Sequence, residues 1–288
     1  MNRTLSALLA LAFLAGATPT ADAQSARQAR QAVEASMLVT GHVDIDRAGK
    51  VSGHAFDHPE KLPEHVVALI ERAIPALRFE PVLVGGVPAL ARAKMSVRLV
   101  ATPVGDAAGN MHVRIASAHF GEEYSDSDRS SVRRSDLRPP RYPMNVAQIG
   151  GKGTVYLLVK VGRDGKPQDV VAEQVNLTAL GNTRQMQMIR NALSKTAIDN
   201  ALKYWAFTPP EQGEEMQRDY WVVRVPVDFR LGDDRETAYG QWSAYHPGER
   251  NTPEWAGPTQ PGFSPDTLVA GVVAPSNSRF KLVSPIEG

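Results

Sequence analysis

A hairpin that runs into a helix constrains this chain more than any other feature. Val155, Leu157, Val159 and Val161 alternate with Thr154, Tyr156, Leu158 and Lys160, and the run stops at Arg163-Asp164-Gly165-Lys166. Alternation at period two is the pattern of a strand. Asp-Gly between two such runs supports a tight turn, because glycine takes positive φ without a side-chain penalty. Asp169 to Val175 is the returning strand. Asn182 with Gln185 marks a helix start. Met186, Ile189, Leu193, Ala197 and Ala201 then recur at three- and four-residue spacing, which predicts one buried stripe. The helix leaves through Tyr204-Trp205-Ala206-Phe207-Thr208-Pro209, a polar turn around Gly213 follows, and a last strand is expected over Asp219 to Leu231. This order predicts an antiparallel three-stranded sheet packed on one helix.

The preceding segment repeats that logic. Val43 and Ile45 alternate with His42, Asp44 and Asp46, Arg47-Ala48-Gly49-Lys50 is a turn, and Val51 to Phe56 returns. Pro63 suits the first turn of a helix, and Val66, Val67, Ile70, Ala73, Ile74 and Leu77 make one apolar face. A Gly85-Gly86 turn and strands over Ala91 to Val100 and Met111 to Phe120 follow. Three anchors recur in the same order: the two turns, Leu77-Arg78-Phe79-Glu80-Pro81 against Trp205-Ala206-Phe207-Thr208-Pro209, and Val97-Arg98-Leu99 against Val223-Arg224-Val225. The expected fold is therefore α+β: a duplicated ββαβ unit, each copy a three-stranded antiparallel sheet on one helix. The domains are expected at residues 37–120 and 138–231.

The N-terminus reads as an export signal. Asn2-Arg3 precede an uncharged apolar run from Leu5 to Ala17, and Ala21-Asp22-Ala23 gives the small-residue pattern of a cleavage site. This run of 13 residues is shorter than the roughly 20 a membrane-spanning helix needs. A signal peptide at 1–23, a lead-in at 24–36 and a periplasmic mature chain without a membrane span are the expectation. With no cysteine, the chain has no disulfide, thiolate metal site or cysteine nucleophile. The net charge of +1 gives no pull toward nucleic acid. Residues 121–137, rich in Ser, Asp, Glu and Arg, read as a linker. Residues 232–288 carry recurrent Pro and Gly, and an extended or disordered tail is expected there, with a short strand at Thr267 to Val273.

No catalytic motif is present: there is no G-x-S-x-G, Walker loop or H-E-x-x-H. No catalytic residue, cofactor or metal site is assigned, and the chain is expected not to be an enzyme. His54 and His58 flank Asp57, a set that could bind a divalent metal but that also suits an exposed strand-to-helix turn. What remains is backbone chemistry. An open sheet edge offers unpaired N–H and C=O groups that an extended peptide can join. Pro226 lacks a donor, so Tyr220-Trp221-Val222-Val223-Arg224-Val225-Pro226-Val227-Asp228-Phe229 belongs at an edge. Pro226 and Arg224 are also what a strand uses to block pairing, and both readings stay open.

Arg138-Pro139-Pro140-Arg141-Tyr142-Pro143, Ala147, Gly153-Thr154-Val155, Asp164-Gly165 and the segment Ala201 to Pro209 occur in the order and spacing of one family. From Leu137 to Leu231 the chain resembles the TonB C-terminal domain, and Leu38 to Val100 is similar to a degenerate copy without the Tyr-Pro lead-in. The resemblance implies a periplasmic module that contacts outer-membrane receptors or other envelope proteins by strand addition, in the service of transport across the outer membrane. It places the partner-binding residues at Tyr142, Pro143, Tyr220, Trp221, Val222, Val223, Arg224, Val225 and Val227. It also implies that copies can exchange strands into a homodimer. Two alternatives follow: a membrane-anchored energy transducer if the N-terminus stays uncleaved, and a structural or metal-binding envelope protein that uses the first-block histidines.

Overall fold

The computed structural model describes residues 34–104, 111–122, 128–179, 181–232 and 237–286. The expected signal peptide and residues 24–33 lie outside them. The fold is α+β, and the strands described pair antiparallel.

The first half contains β1 (Glu34–Ile45), β2 (Val51–Phe56), α1 (Glu64–Ala73), the short hairpin β3 (Leu83–Val84) and β4 (Val87–Pro88), β5 (Ala91–Pro103) and β6 (Met111–Gly121). β1 starts inside the expected lead-in. β1 lies between β2 and β5, and β6 adds to the far side of β5 through ten register pairs. A strand from the tail, β12 (Ser243–Tyr245), pairs with Glu34, Ala35 and Ser36 of β1. The sheet therefore has five strands rather than three. The alternating β1 residues Met37, Val39, Val43 and Ile45 join Val66 and Ile70 of α1 in one core. Pro75 ends the α-helix, within a 3-10 turn over Ile74–Ala76.

The second half contains β7 (Arg133–Asp136), the one-turn α2 (Met144–Ala147), β8 (Gly153–Gly162), β9 (Pro167–Leu177), α3 (Thr183–Tyr204), β10 (Ala206–Thr208) and β11 (Tyr220–Phe229). β8 is central, with β9 on one side and β11 on the other. Met186, Ile189, Leu193, Ala197 and Ala201 are the buried residues of α3, the stripe read from their spacing. The Asn182 side chain accepts the Gln185 amide N–H at 2.8 Å and caps that helix. One expectation fails here. The linker contains β7, which pairs with β10 on the helix exit. Arg134 and Asp136 are exposed while Arg133 is half-buried and Val132 beside it lies in the core, so composition hides the strand.

The two halves share a local construction. Gly49 and Gly165 have φ of 78° and 74°. A Cβ at either would lie 2.0 and 2.1 Å from the carbonyl oxygens of Phe79 and Phe207. Those phenylalanines in turn donate their amides to Gly49 and Gly165, at 2.8 Å in both cases. Glycine is required at each turn on two counts, its φ and the close backbone approach.

The tail is the largest correction. Residues 237–286 pack along both halves as a strap. After β12, His246 exchanges two backbone hydrogen bonds with Leu177, and Asn251 donates to the Glu173 carbonyl, both on the outer edge of β9. A turn at Pro265–Thr267 is buried between the two sheets, where the Asp266 carbonyl accepts from Arg98 Nε at 3.1 Å. The strand β13 lies at Ala274–Pro275, just past the segment where a strand was expected. Phe280 and Leu282 then enter the first core, at 0% and 4% exposure. Long-range pairing and a few apolar anchors order a segment whose Pro and Gly content suggests disorder.

Candidate partner-binding edge

β11 runs the full length of β8, from Tyr220 opposite Gly162 to Phe229 opposite Gly153. Its side chains divide by face. Val223, Val225 and Val227 join the core beneath α3. Trp221 is buried and its indole N–H donates to the Glu215 carbonyl at 3.0 Å. Tyr220 lies under Lys160, 4.3 Å from the ring centre, and donates to the Trp255 carbonyl. Val222 is half-buried.

Arg224 does not point along the edge. It reaches across the sheet to Glu173, with Nε 2.7 Å from one carboxylate oxygen and Nη2 3.2 Å from the other. Glu173 is fully buried, and Arg250 of the strap also binds it at 3.1 Å. The Arg224 guanidinium stacks 4.6 Å from the Phe263 ring centre, and its Nη1 donates to Ser276 Oγ at 2.9 Å. Arg224 is thus a structural residue.

The structure brings Tyr142 to the end of the same strand. Its ring packs edge-on against Phe229, centroids 5.6 Å apart, and its hydroxyl donates to the Gly151 carbonyl. Pro143 caps α2, accepting the Val146 and Ala147 amides. Trp205 Nε1 holds the preceding segment in place by donating to the Arg138 carbonyl at 2.9 Å.

The outer edge of β11 is occupied over its middle. β13 pairs Pro275 with Val223 and Ala274 with Arg224. The Ser276 amide donates to the Val222 carbonyl at 2.9 Å, and the Gly271 amide approaches the Pro226 carbonyl at 3.4 Å. Two register pairs hold this contact, against ten between β5 and β6 at the corresponding edge of the first half. Sequence reading missed the strap. Its signal was Phe280 and Leu282, apolar and two residues apart in a polar, proline-rich context.

Behind Arg224 lies His119 of β6, its ring edge-on to Phe263 with centroids 5.5 Å apart. Its Nε2 has no hydrogen-bond partner among the described residues. Burial, with the Arg224 charge nearby, pushes its pKa from 6.5 down to about 4. The unfolded chain then takes up a proton below pH 6.5 that the folded chain refuses until about pH 4. Stability is fully present above pH 6.5 and falls between these values, by up to about 3 kcal/mol. His246, lowered by burial and Arg190, adds in the same direction. Urea midpoints should decline from pH 7 to pH 4, and the decline should shrink in His119→Gln.

The histidines of the first half do not converge. His54 packs on Phe56, His58 on Tyr239, and Asp57 accepts from Thr40 Oγ1 at 2.5 Å. Among the described residues, no group of three or more His, Asp or Glu side chains is placed to hold a metal. No helix among them is long and apolar enough to cross a membrane.

Fold and site together define an α+β scaffold whose candidate site is a strand edge. Over 92 residues the chain is 36% identical to protein TonB2 of Pseudomonas aeruginosa, a match that spans 32% of this chain and 28% of that protein. The relationship is TonB-like across about a third of the chain, and the match covers less than a third of the relative's own length. No family model matches, and no solved structure matches significantly.

Proposed function

We propose that the chain is a TonB-like periplasmic module that binds an extended peptide of an envelope partner, such as an outer-membrane receptor, by strand addition to β11, with β13 displaced. Both halves are read as copies of one ββαβ unit. The matching Gly49–Phe79 and Gly165–Phe207 contacts support that, as does a central first strand in each sheet.

One observation carries the site. In the first half, β6 closes the edge beyond the last strand of the unit, through ten pairs. In the second half the same edge holds only a two-residue strand. A peptide of four or five residues can therefore gain more backbone hydrogen bonds than the strap gives up. Tyr142 and Pro143 sit at the Phe229 end, where the added strand would emerge. A second copy offering its own strap segment can use the same exchange, which gives the homodimer.

The test is a titration of the isotope-labelled chain with peptides from receptor plug segments. Amide shifts should concentrate at Tyr220–Phe229 and at the strap residues opposite. Failure of every extended peptide to bind would remove the reading.

A further inference from the structure

We propose that the β3–β4 hairpin is a membrane-contact finger whose tip enters the headgroup region of a phospholipid bilayer. From Pro81 to Ala91 no residue carries a polar side chain. Leu83, Val84, Val87 and Leu90 are 57%, 61%, 65% and 67% exposed. Consecutive strand residues point to opposite faces, so exposure of both Leu83 and Val84 means that neither face of the hairpin is packed. A surface hairpin that served only as a turn would carry polar residues there or bury one face. Scattered exposed apolar side chains are ordinary, but a continuous uncharged run of them marks an interaction surface.

The shape selects the occupant. A convex finger, apolar on both sides, fits a medium that surrounds it better than a flat protein face that meets one side. At the tip, Gly85 and Gly86 take φ of 58° and 81°, and a Cβ at either would meet nothing within 4 Å. β3 and β4 pair with each other, and the Ala89 amide donates to the Val82 carbonyl at 2.9 Å. The groups between the two strands are thereby paired, while those on the outer edges and at the tip need the hydrated headgroup region rather than the hydrocarbon core. Val82 is 2% exposed and roots the finger in the first core.

Charge at the root matches an anionic surface. Arg78 and Glu80 lie on the entering segment, Arg92 and Lys94 on the leaving one, and Lys281 beside them donates to Glu80 at 3.2 Å. Arg92 is paired with Asp44 and Lys281 with Glu80, so these six described residues carry a net charge of +2. Cationic collars around apolar insertions favour anionic lipid.

The chain has no cysteine, so one introduced thiol is a unique label. Leu83→Cys carrying an environment-sensitive fluorophore is mixed with vesicles of phosphatidylethanolamine and phosphatidylglycerol, and separately with phosphatidylcholine alone. The emission should shift to the blue and rise, more on the anionic vesicles, while the same label at Gln187→Cys on the exposed side of α3 stays unchanged. The local readout matters because the apolar run Leu5 to Ala17, if retained, binds vesicles by itself. Leu83→Asp combined with Val87→Asp alters only exposed positions and should leave the melting curve in place. It should lower vesicle affinity of the chain lacking residues 1–23 by about tenfold or more. A label at position 83 that stays water-like on vesicles overturns the proposal. So does vesicle binding untouched by the double substitution. A blue shift that needs no lipid and grows with protein concentration also overturns it, and assigns the finger to a second copy of the chain.

Discussion

Ser276→Pro is expected to raise the affinity of the chain for an extended peptide by about tenfold, because it removes two hydrogen bonds between the strap and β11. The Ser276 amide donates to Val222 and its hydroxyl accepts from Arg224, each at 2.9 Å. Each bond contributes on the order of 1 kcal/mol net. A peptide that needs β11 bare binds with an affinity reduced by the fraction of molecules in which β13 is lifted. Loosening β13 raises that fraction without substituting any residue of β11. The anchors on either side remain, Asp266 and Thr267 between the sheets and Phe280 in the first core. The melting temperature should therefore fall only slightly. An unchanged affinity in a variant whose β13 amides exchange faster would mean that peptides do not use this edge.

Arg224→Met is expected to be among the most damaging single substitutions, at about 3–5 kcal/mol. Glu173 has no exposed surface and takes two hydrogen bonds from Arg224 and one from Arg250. Without Arg224, a buried carboxylate keeps one partner, on a strap that also loses the Arg224 bond to Ser276 and the stacking on Phe263. The ion pair need not stabilise the fold relative to an apolar pair. Breaking half of it leaves an uncompensated charge, and that is where the cost arises. Glu173→Met combined with Arg224→Met should therefore recover much of the loss. Urea denaturation at pH 7 measures both. A small effect for the single variant would show that water or Arg250 alone satisfies Glu173.

These two residues show how far the sequence could be read. The stripe on α3, the cap at Asn182 and the turns at Gly49 and Gly165 were legible because their causes are local: helical spacing, one side chain, one positive φ. The strand Arg133–Asp136 was not, because four polar residues carry no alternation and its partner lies beyond α3. Arg224 was legible as an edge residue but not as half of an ion pair, since Glu173 stands 51 positions away. The strap was least legible. Its proline-rich composition speaks for disorder, while its order comes from β9, β11 and the first core, all distant in sequence. Pro226 suggested an edge strand, and the structure pairs β11 with β8 on one side and with the two-residue β13 on the other.

That occupancy makes the edge testable with a reversible lock. The Ser276 amide reaches the Val222 carbonyl in the register continued from Val223 opposite Pro275. Val222→Cys with Ser276→Cys places the two cysteines of the chain across that contact. Peptide binding is measured with the pair oxidised and then reduced. Strand addition at β11 predicts that the oxidised protein binds no extended peptide and that reduction restores binding. Equal binding in both states would contradict the account and move the partner site elsewhere on the molecule.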